Sequence, residues 1–236
     1  MTLPAEEAKK EFVQEKFSSV TPKYDFLNSL LSLYIDRYWR IRTAAVLKGR
    51  PGPVLDLCAG TLPLSREVFR QKERRILALD FCFDMLKYGR DRLASQGEKE
   101  NILPVCGDGE ALPLRDEIFT GFTVAFGIRN LADLPRGFSE VYRVLKPGGV
   151  AAILEFSRPS MPVFARLYRF YLHRVLPGLA GMISGDREAY RYLAESIEGF
   201  YSQEEVCAMM KDAGFRDVSF EPLTMGIVTI YTGIRP

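Results

Sequence analysis

The stretch VLDLCAGT, at positions 54–61, constrains the fold of this chain more than any other. An apolar run that contains Asp56 leads into a turn of small residues at Ala59–Gly60 and stops at Thr61. A second apolar run, ILALD, ends in Asp80. Small residues let the backbone approach a ligand, and an acid about 20 residues on, at the end of the next strand, accepts hydrogen bonds from ribose hydroxyls. The pattern is typical of a Rossmann-like α/β fold that holds a nucleoside.

The glycine pattern of this turn distinguishes between two classes of nucleotide ligand. The sequence lacks the GxGxxG pattern of a dinucleotide site. A single glycine with Asp56 nearby is more typical of the nucleoside site of an S-adenosylmethionine-dependent methyltransferase. Leu62 and Pro63 occupy the positions where a second glycine and an acid are expected. Other motifs are therefore needed to identify the chain.

Composition narrows the class of protein. The chain has 236 residues, of which 47% are hydrophobic and 26% charged, which suits one α/β domain with a full core. A net charge of +2 gives no electrostatic basis for binding nucleic acid. The N-terminal segment MTLPAEEAKKEF lacks the apolar core of a signal peptide, and no apolar run approaches the length of a membrane span. We therefore expect a cytoplasmic protein.

The four cysteines and the one histidine do not form a metal-binding pattern. No two cysteines have CxxC spacing, and the histidine is His173, so no metal is expected. Cys58, Cys82 and Cys106 each lie at or just beyond the end of a predicted strand. These thiols either line a ligand site at that edge or are small buried side chains, and the second interpretation is favoured.

The rest of the chain predicts one sheet with helices on both faces. Residues 5–48 read as helices, and Gly49–Pro53 breaks their pattern. Strands then alternate with helices, which predicts parallel βαβ units whose ligand lies beyond the C-terminal ends of the strands. The predicted strands are 53–57, 75–80, 102–106, 119–125 and 150–156, the helices lie near 63–71, 83–94, 134–145 and 203–213, and 215–223 with 225–235 form a final antiparallel hairpin.

Residues 158–200 interrupt this alternation and are predicted to form an insertion over the active-site edge. Its segment 164–183 is apolar and aromatic with interleaved arginines. Such a segment fits a helix that lies in a membrane interface with its charges at the surface. An amphipathic lid packed on the core is the alternative, and the sequence favours neither.

Two loops carry candidate functional residues. GDGEALPL, at 107–114, puts Asp108 after the third strand, so that Asp56, Asp80 and Asp108 are predicted to face one cleft; a solvent turn is the alternative. FGIRNLAD, at 126–133, puts Arg129 and Asn130 after the fourth strand, where an acceptor substrate meets a cofactor. The alternative is that Asn130 or Asp133 only caps the next helix.

With these motifs, the chain resembles the ubiquinone/menaquinone biosynthesis C-methyltransferase family over nearly its whole length, from about Phe12 to Gly233. The resemblance implies a single domain, 1–236, with a helical cap at 1–50, a lid at 158–200, and a seven-stranded sheet whose last strand is antiparallel. It also implies methyl transfer from S-adenosylmethionine to a ring carbon of a polyprenylated quinol, demethylmenaquinol above all, with the ubiquinone-pathway benzoquinol as a further acceptor. The matching motifs are VTPKYDFLNSLLSLYIDRYWR, VLDLCAGT, LDFCFDML, GDGEALPL, FGIRN, YRVLKPGG, LEFSRP, YRYLAESIEGF and MGIVTIYTG.

The resemblance assigns residues to two roles. Arg129 and Asn130 are expected to face the quinol ring, with Arg129 stabilising a phenolate oxygen. Tyr24 and Asp25 are expected to close over the ring, and either of them could relay a proton. The expected cofactor-binding residues are Asp56, Gly60, Thr61, Asp80, Phe81, Asp108, Gly109 and Ala125.

This chain departs from the family pattern at three places. Leu62–Pro63 replaces Gly–Asp, Gly109 replaces the commoner alanine, and Ala125 stands where some members have serine. A leucine with positive φ costs roughly 1–2 kcal/mol, so we expect the turn to be re-formed, with Pro63 in the first helical turn. The departures leave two other functions open: a methyltransferase for another aromatic or lipid-like acceptor, and a non-catalytic homologue that binds the cofactor weakly. Oligomer formation is also open.

Overall fold

The computed structural model describes residues 32, 34–94, 101–178 and 187–236. Tyr24, Asp25 and most of the predicted N-terminal cap lie outside the described residues. Within the described ranges, the helices and strands follow each other as the sequence pattern predicts.

Seven strands form one sheet in the order β3-β2-β1-β4-β5-β7-β6. The strand β1 lies centrally and pairs in parallel with β2 on one side and β4 on the other. The last strand, β7, runs antiparallel to both β5 and β6. The predicted methyltransferase-type sheet is therefore confirmed. The strands are β1 Val54–Leu57, β2 Ile76–Asp80, β3 Ile102–Cys106, β4 Phe119–Ala125, β5 Leu145–Phe156, β6 Arg216–Leu223 and β7 Val228–Ile234.

The described helices lie between these strands or precede them. The bounds of most helices and strands agree with the predicted bounds to within one residue. Strand β5 is an exception, because it begins at Leu145 rather than at 150. Leu145 already pairs with Phe119, and the Lys146–Gly149 turn then interrupts the register of the two strands. The helices are α1 Ile35–Ala45, α2 Pro63–Gln71, α3 Phe83–Ala94, α4 Leu134–Val144, α5 Pro162–Phe170, α6 Arg187–Glu198 and α7 Gln203–Asp212.

The two-residue period of β1 decides what each of its side chains contacts. Leu55 and Leu57 point to one face of the sheet, where α4 and α7 supply the packing partners Phe138, Val141, Val206 and Met210. Val54 points to the other face, towards apolar residues of α1, α2 and α3. The sheet is thus covered on both sides, as predicted for parallel strands.

Asp56 shares the second face and is buried in the core. Its carboxylate accepts hydrogen bonds from the hydroxyl groups of Ser65 on α2 and Thr123 on β4, the latter at 2.8 Å. Thr123 lies directly beside Asp56 in the sheet register, and only 1% of Asp56 is exposed. The prediction that Asp56 faces the cleft with the other acids is therefore wrong, because the pleat turns its side chain under α2.

The burial of Asp56 makes the stability of the fold depend on pH. Loss of hydration raises the pKa of this carboxyl from 3.8 to about 6, although the bonds from Ser65 and Thr123 oppose the shift. The folded protein therefore holds this proton more tightly than the unfolded chain does. The contribution of the Asp56 carboxyl to the free energy of unfolding is fully present below about pH 4 and is lost as the pH rises through about 6.

We predict that Asp56→Asn removes this loss, because an amide resembles the protonated acid and does not ionise. Relative to wild type, the variant should gain about 3 kcal/mol of unfolding free energy between pH 4 and pH 7. Urea unfolding at several pH values measures this difference. Asp91→Asn, which removes an exposed carboxylate from α3, is the control. A wild-type-to-variant difference that stays constant from pH 4 to pH 7 would contradict the prediction.

Candidate active site

A cleft of about 500 Å³, including its open mouth, lies at the C-terminal edge of β1, β2 and β4. Ligands bind at this edge in open α/β sheets. Five of the predicted cofactor residues lie on its wall, together with Asn130 and with Arg40, which sequence reasoning did not single out. The lining residues are Arg40, Cys58, Ala59, Gly60, Thr61, Pro63, Asp80, Phe81, Met85, Ala125, Phe126, Gly127 and Asn130.

The turn after β1 keeps a left-handed residue although a leucine occupies the position. Leu62 has φ 69° and ψ 27°, so the expectation that the turn is re-formed is wrong. Pro63 does take the first helical position, as predicted. The strain of roughly 1–2 kcal/mol is offset because Leu62 is fully buried, and burying a leucine contributes about 1.5–3 kcal/mol.

A glycine on the neighbouring helix makes this burial possible. A β-carbon at Gly89 on α3 would lie 2.8 Å from Cγ of Leu62 and 2.8 Å from the backbone of Thr61. Helix α3 therefore packs directly against the turn and fixes the position of Thr61 at the cleft.

Asp80 connects two of the turns that form the cleft. Its Oδ2 accepts the Gly60 N–H and its Oδ1 accepts the Cys82 N–H, each at 2.8 Å. Burial raises the pKa of the Asp80 carboxyl, and these backbone hydrogen bonds oppose the rise. Each carboxylate oxygen has a second lone pair, so Asp80 can hold the turn and still accept ribose hydroxyl groups.

The loop after β3 carries two of the predicted cofactor-binding residues, Asp108 and Gly109. Asp108 accepts the Glu110 N–H at 2.9 Å, and Gly109 is buried against Leu57. Neither Asp108 nor Gly109 is among the residues that line the cleft. Of the three acids predicted to face one cleft, Asp80 lines it and Asp56 is buried under α2, while the binding role of Asp108 and Gly109 stays a prediction.

Glu110, which the sequence reasoning overlooked, links this loop to the one after β4. It is 4% exposed and accepts the N–H groups of Ala132 and Asp133. The acid stands in the quoted GDGE motif, but nothing in the sequence shows that its partner is the backbone of a loop 22 residues away.

The turn after β4 approaches the turn after β1 very closely. A β-carbon on Gly127 would lie 2.3 Å from Cβ of Cys58, so only glycine fits there. The next residues, Ile128–Asn130, form one 3₁₀ turn. Asp133 caps α4 by accepting the Arg136 N–H at 3.0 Å. The cap is therefore Asp133, and Asn130 remains at the cleft.

Arg129 is buried and is not among the residues that line the cleft. Its Nη1 lies 2.8 Å from Oε1 of Glu155, and the two side chains are 4% and 0% exposed. Nη1 also donates to the Phe126 carbonyl, and the guanidinium lies 5.4 Å from the centre of the Phe156 ring. The pairing with Glu155 places Arg129 against the end of β5, and its contact with the quinol ring stays a prediction.

Glu155 organises this region, and sequence reasoning missed it. Besides the guanidinium, it accepts the backbone N–H groups of Arg129 at 3.2 Å and Phe156 at 2.8 Å. The available signal was an acid inside VAAILEF, an otherwise apolar strand. A buried carboxylate needs such partners because its desolvation is costly.

A tyrosine of the 158–200 insertion contacts Asn130 at the cleft. The hydroxyl of Tyr192, on α6, donates to Oδ1 of Asn130 at 3.2 Å. Burial raises the pKa of Tyr192, and the nearby charge of Arg129 opposes the rise. Tyr192 therefore stays protonated at neutral pH, and the Asn130 amide keeps its two N–H groups for a ligand.

The cysteines at the strand ends have different surroundings. Cys58 lines the cleft, Cys82 is buried and Cys106 is exposed. Burial raises the pKa of the Cys58 thiol, with a further contribution from nearby Asp80. A thiol that stays protonated is a small apolar surface in the cleft wall rather than a nucleophile.

The comparisons with known proteins now identify the family. Residues 5–235 match the sequence profile of the ubiE/COQ5 methyltransferase family. The chain belongs to this family. The ubiquinone/menaquinone biosynthesis C-methyltransferase UbiE of Geobacter sulfurreducens is 44% identical over 228 residues, which cover 95% of this chain and 89% of that relative.

The similarity to solved structures shows only that the fold is shared, because their sequences are less than 20% identical to this chain. A methyltransferase from Thermotoga maritima, described as S-adenosylmethionine-dependent, has a TM-score of 0.67 at 19% identity over 94% of this chain and 99% of its own. The cyclase SpnF has a TM-score of 0.71 at 16% identity, over 95% of this chain and 96% of its own. A cyclase with this fold shows that the chemistry must be argued from the site.

Membership in the ubiE/COQ5 family makes the protein an S-adenosylmethionine-dependent methyltransferase. The cleft fits this cofactor in three respects. Small residues form the turn after β1, Asp80 is placed for a ribose, and the buried Nε of Arg40 faces no hydrogen-bond partner among the described residues.

Proposed function

We propose that the protein methylates a ring carbon of a polyprenylated quinol, most readily demethylmenaquinol. The observation that carries the proposal is the Asn130 amide, which lies on the same cleft wall as Gly60, Thr61 and Asp80. The name of the Geobacter relative supports a quinone-pathway acceptor, of either the ubiquinone or the menaquinone type. The bound cofactor supplies the methyl group on a positively charged sulfur.

The acceptor side of the cleft must stabilise a negative oxygen. A ring carbon is a weak nucleophile until the neighbouring hydroxyl loses its proton, and the charge then rests largely on that oxygen. The Asn130 amide is oriented by Tyr192, so its N–H groups can donate to the oxygen without reorganisation. This assigns the direct contact to Asn130 and not to Arg129.

Arg129 acts through the turn that carries Asn130. Its pairing with Glu155 fixes the Ile128–Asn130 turn, and a guanidinium cannot serve as a base. Tyr168 is also kept protonated, because burial raises its pKa. Neither group accepts the phenolic proton, and the relay through Tyr24 or Asp25 stays a prediction outside the described residues.

An acceptor assay with labelled S-adenosylmethionine tests the function. We expect label on short-chain demethylmenaquinol, with Asn130→Ala lowering kcat about 10²- to 10³-fold, as for loss of one oxyanion donor. Tyr192→Phe keeps the ring and should lower kcat less, because only the orientation of the amide is affected.

Two results would contradict this proposal. Faster methylation of an unrelated aromatic or lipid-like acceptor would assign a different substrate, and no transfer to any acceptor would indicate a non-catalytic homologue. Asn130→Ala with unchanged kcat on the quinol would remove the role of Asn130 alone.

The insertion suggests where the enzyme meets an insoluble substrate. No side chain of α5 is buried, and its exposed apolar residues include Val163, Leu167 and Phe170. Arg166 lies beside them and is exposed, while Arg169 pairs with Glu198 at 3.1 Å. The next turn anchors the helix, because Leu172 packs with Leu176, Ala194 and Ile197. Residues 179–183 of the predicted segment lie outside the described residues.

This arrangement fits a helix that lies on a bilayer surface. None of the helices within the described ranges is long and apolar enough to cross a membrane. We therefore propose that α5 rests on the inner face of the membrane, with its apolar side chains among the lipids and its arginines near anionic headgroups.

Sedimentation with phosphatidylcholine vesicles, with and without phosphatidylglycerol, tests this contact. Wild type should bind, more strongly with the anionic lipid, and Leu167→Glu/Phe170→Glu should bind at least 10-fold more weakly. Leu103→Glu, at an exposed leucine on β3, is the control and should bind like wild type. Equal binding of all three proteins would contradict the proposal.

A further inference from the structure

Arg40 is a buried cation whose contacts satisfy only one side of its guanidinium. It lies on α1, is 6% exposed and lines the cleft. Its Nη1 lies 3.0 Å from Oδ2 of Asp36, one helical turn earlier, and also donates to the Asp36 carbonyl at 3.3 Å. Its Nε is fully buried and has no hydrogen-bond partner within the described ranges.

The contacts that Arg40 does make hold it rigidly. The Asp36 carboxylate fixes one edge of the guanidinium, and Cζ lies 5.2 Å from the centre of the Phe126 ring. Trp39, next to it on α1, is 3% exposed, and its indole N–H donates to the Thr224 hydroxyl at 2.8 Å. The unpartnered Nε is therefore positioned in advance, and leaving a buried charged donor unpaired is costly.

The chemistry of this donor selects one kind of partner. A guanidinium offers planar N–H pairs that match the two oxygens of a carboxylate. The adjacent turn offers no acid of its own, because Leu62 and Pro63 occupy the positions after Thr61. No described residue accepts a hydrogen bond from Nε, so a carboxylate on a ligand in the cleft can supply the missing partner.

We propose that Arg40 binds the α-carboxylate of the methionine part of S-adenosylmethionine, through the part of its side chain that lines the cleft. Asp80 then serves the ribose and Arg40 the amino-acid end of the same molecule. This inference rests on the proposed function, since it assumes that the cleft holds this cofactor.

Calorimetry with two ligands tests the assignment. One is S-adenosylhomocysteine, and the other is its decarboxylated analogue, which keeps the adenosine, the sulfur and the amine. Wild type should bind S-adenosylhomocysteine about 10- to 100-fold more tightly, as expected for a hydrogen-bonded charged pair. Arg40→Gln should lose this preference and leave the affinity for the analogue unchanged.

Two further variants keep the test interpretable. Arg37→Gln removes an exposed arginine from the same helix and should keep the preference of wild type. Asp36→Asn/Arg40→Gln removes both charges, so that no unpaired carboxylate destabilises the fold, and should behave like Arg40→Gln.

The outcomes separate the two claims. If wild type binds S-adenosylhomocysteine and both Arg40 variants still prefer it over the analogue, the assignment of Arg40 is wrong and the proposed function stands. If wild type binds neither ligand at millimolar concentration, the proposed function itself fails, and this inference with it.

Discussion

The buried pair between Arg129 and Glu155 is the interaction on which the Asn130 side of the cleft depends. Two charges that are 4% and 0% exposed lie 2.8 Å apart, between the turn after β4 and the end of β5. Removing each ion from water costs several kcal/mol, which only close pairing and further hydrogen bonds offset. The Phe126 carbonyl and the N–H groups of Arg129 and Phe156 supply those bonds. The turn that carries Asn130 therefore has one well-defined position.

Acids hold the other turns in the same way. Asp80 accepts backbone N–H groups of the turns after β1 and β2, and Glu110 accepts those of Ala132 and Asp133. A buried N–H group without a partner is destabilising, so each carboxylate fixes the loop that it serves. The rim of the cleft is thus built from carboxylates that bind backbone, and only Asp80 among them also lines the cleft.

The sequence pattern predicted the elements well, because the periods of strands and helices depend on local residues. Helix α2 begins at Pro63, and the sheet carries its antiparallel last strand, as expected. The site was predicted less completely. The pleat of β1 turns Asp56 under α2. No pattern in the strand shows that the hydroxyl groups of Ser65 and Thr123 donate hydrogen bonds to it there.

The remaining errors also arise from contacts between distant residues. Leu62 keeps a left-handed turn because Gly89, on another helix, leaves room for its side chain. Arg129 pairs with Glu155 of the neighbouring strand, and Arg40 reaches the cleft from a helix that precedes the whole sheet. Spacing along the chain does not encode such partners.

A double-mutant cycle on Arg129 and Glu155 tests the central claim most directly. The unfolding free energies of wild type, Arg129→Met, Glu155→Met and the double variant are compared by urea unfolding. Each single variant should lose about 3–5 kcal/mol, because it leaves an unpaired buried charge, and the double variant should lose clearly less than the sum of both. Losses that add to within about 0.5 kcal/mol would show that the pair does not hold the Asn130 side of the cleft.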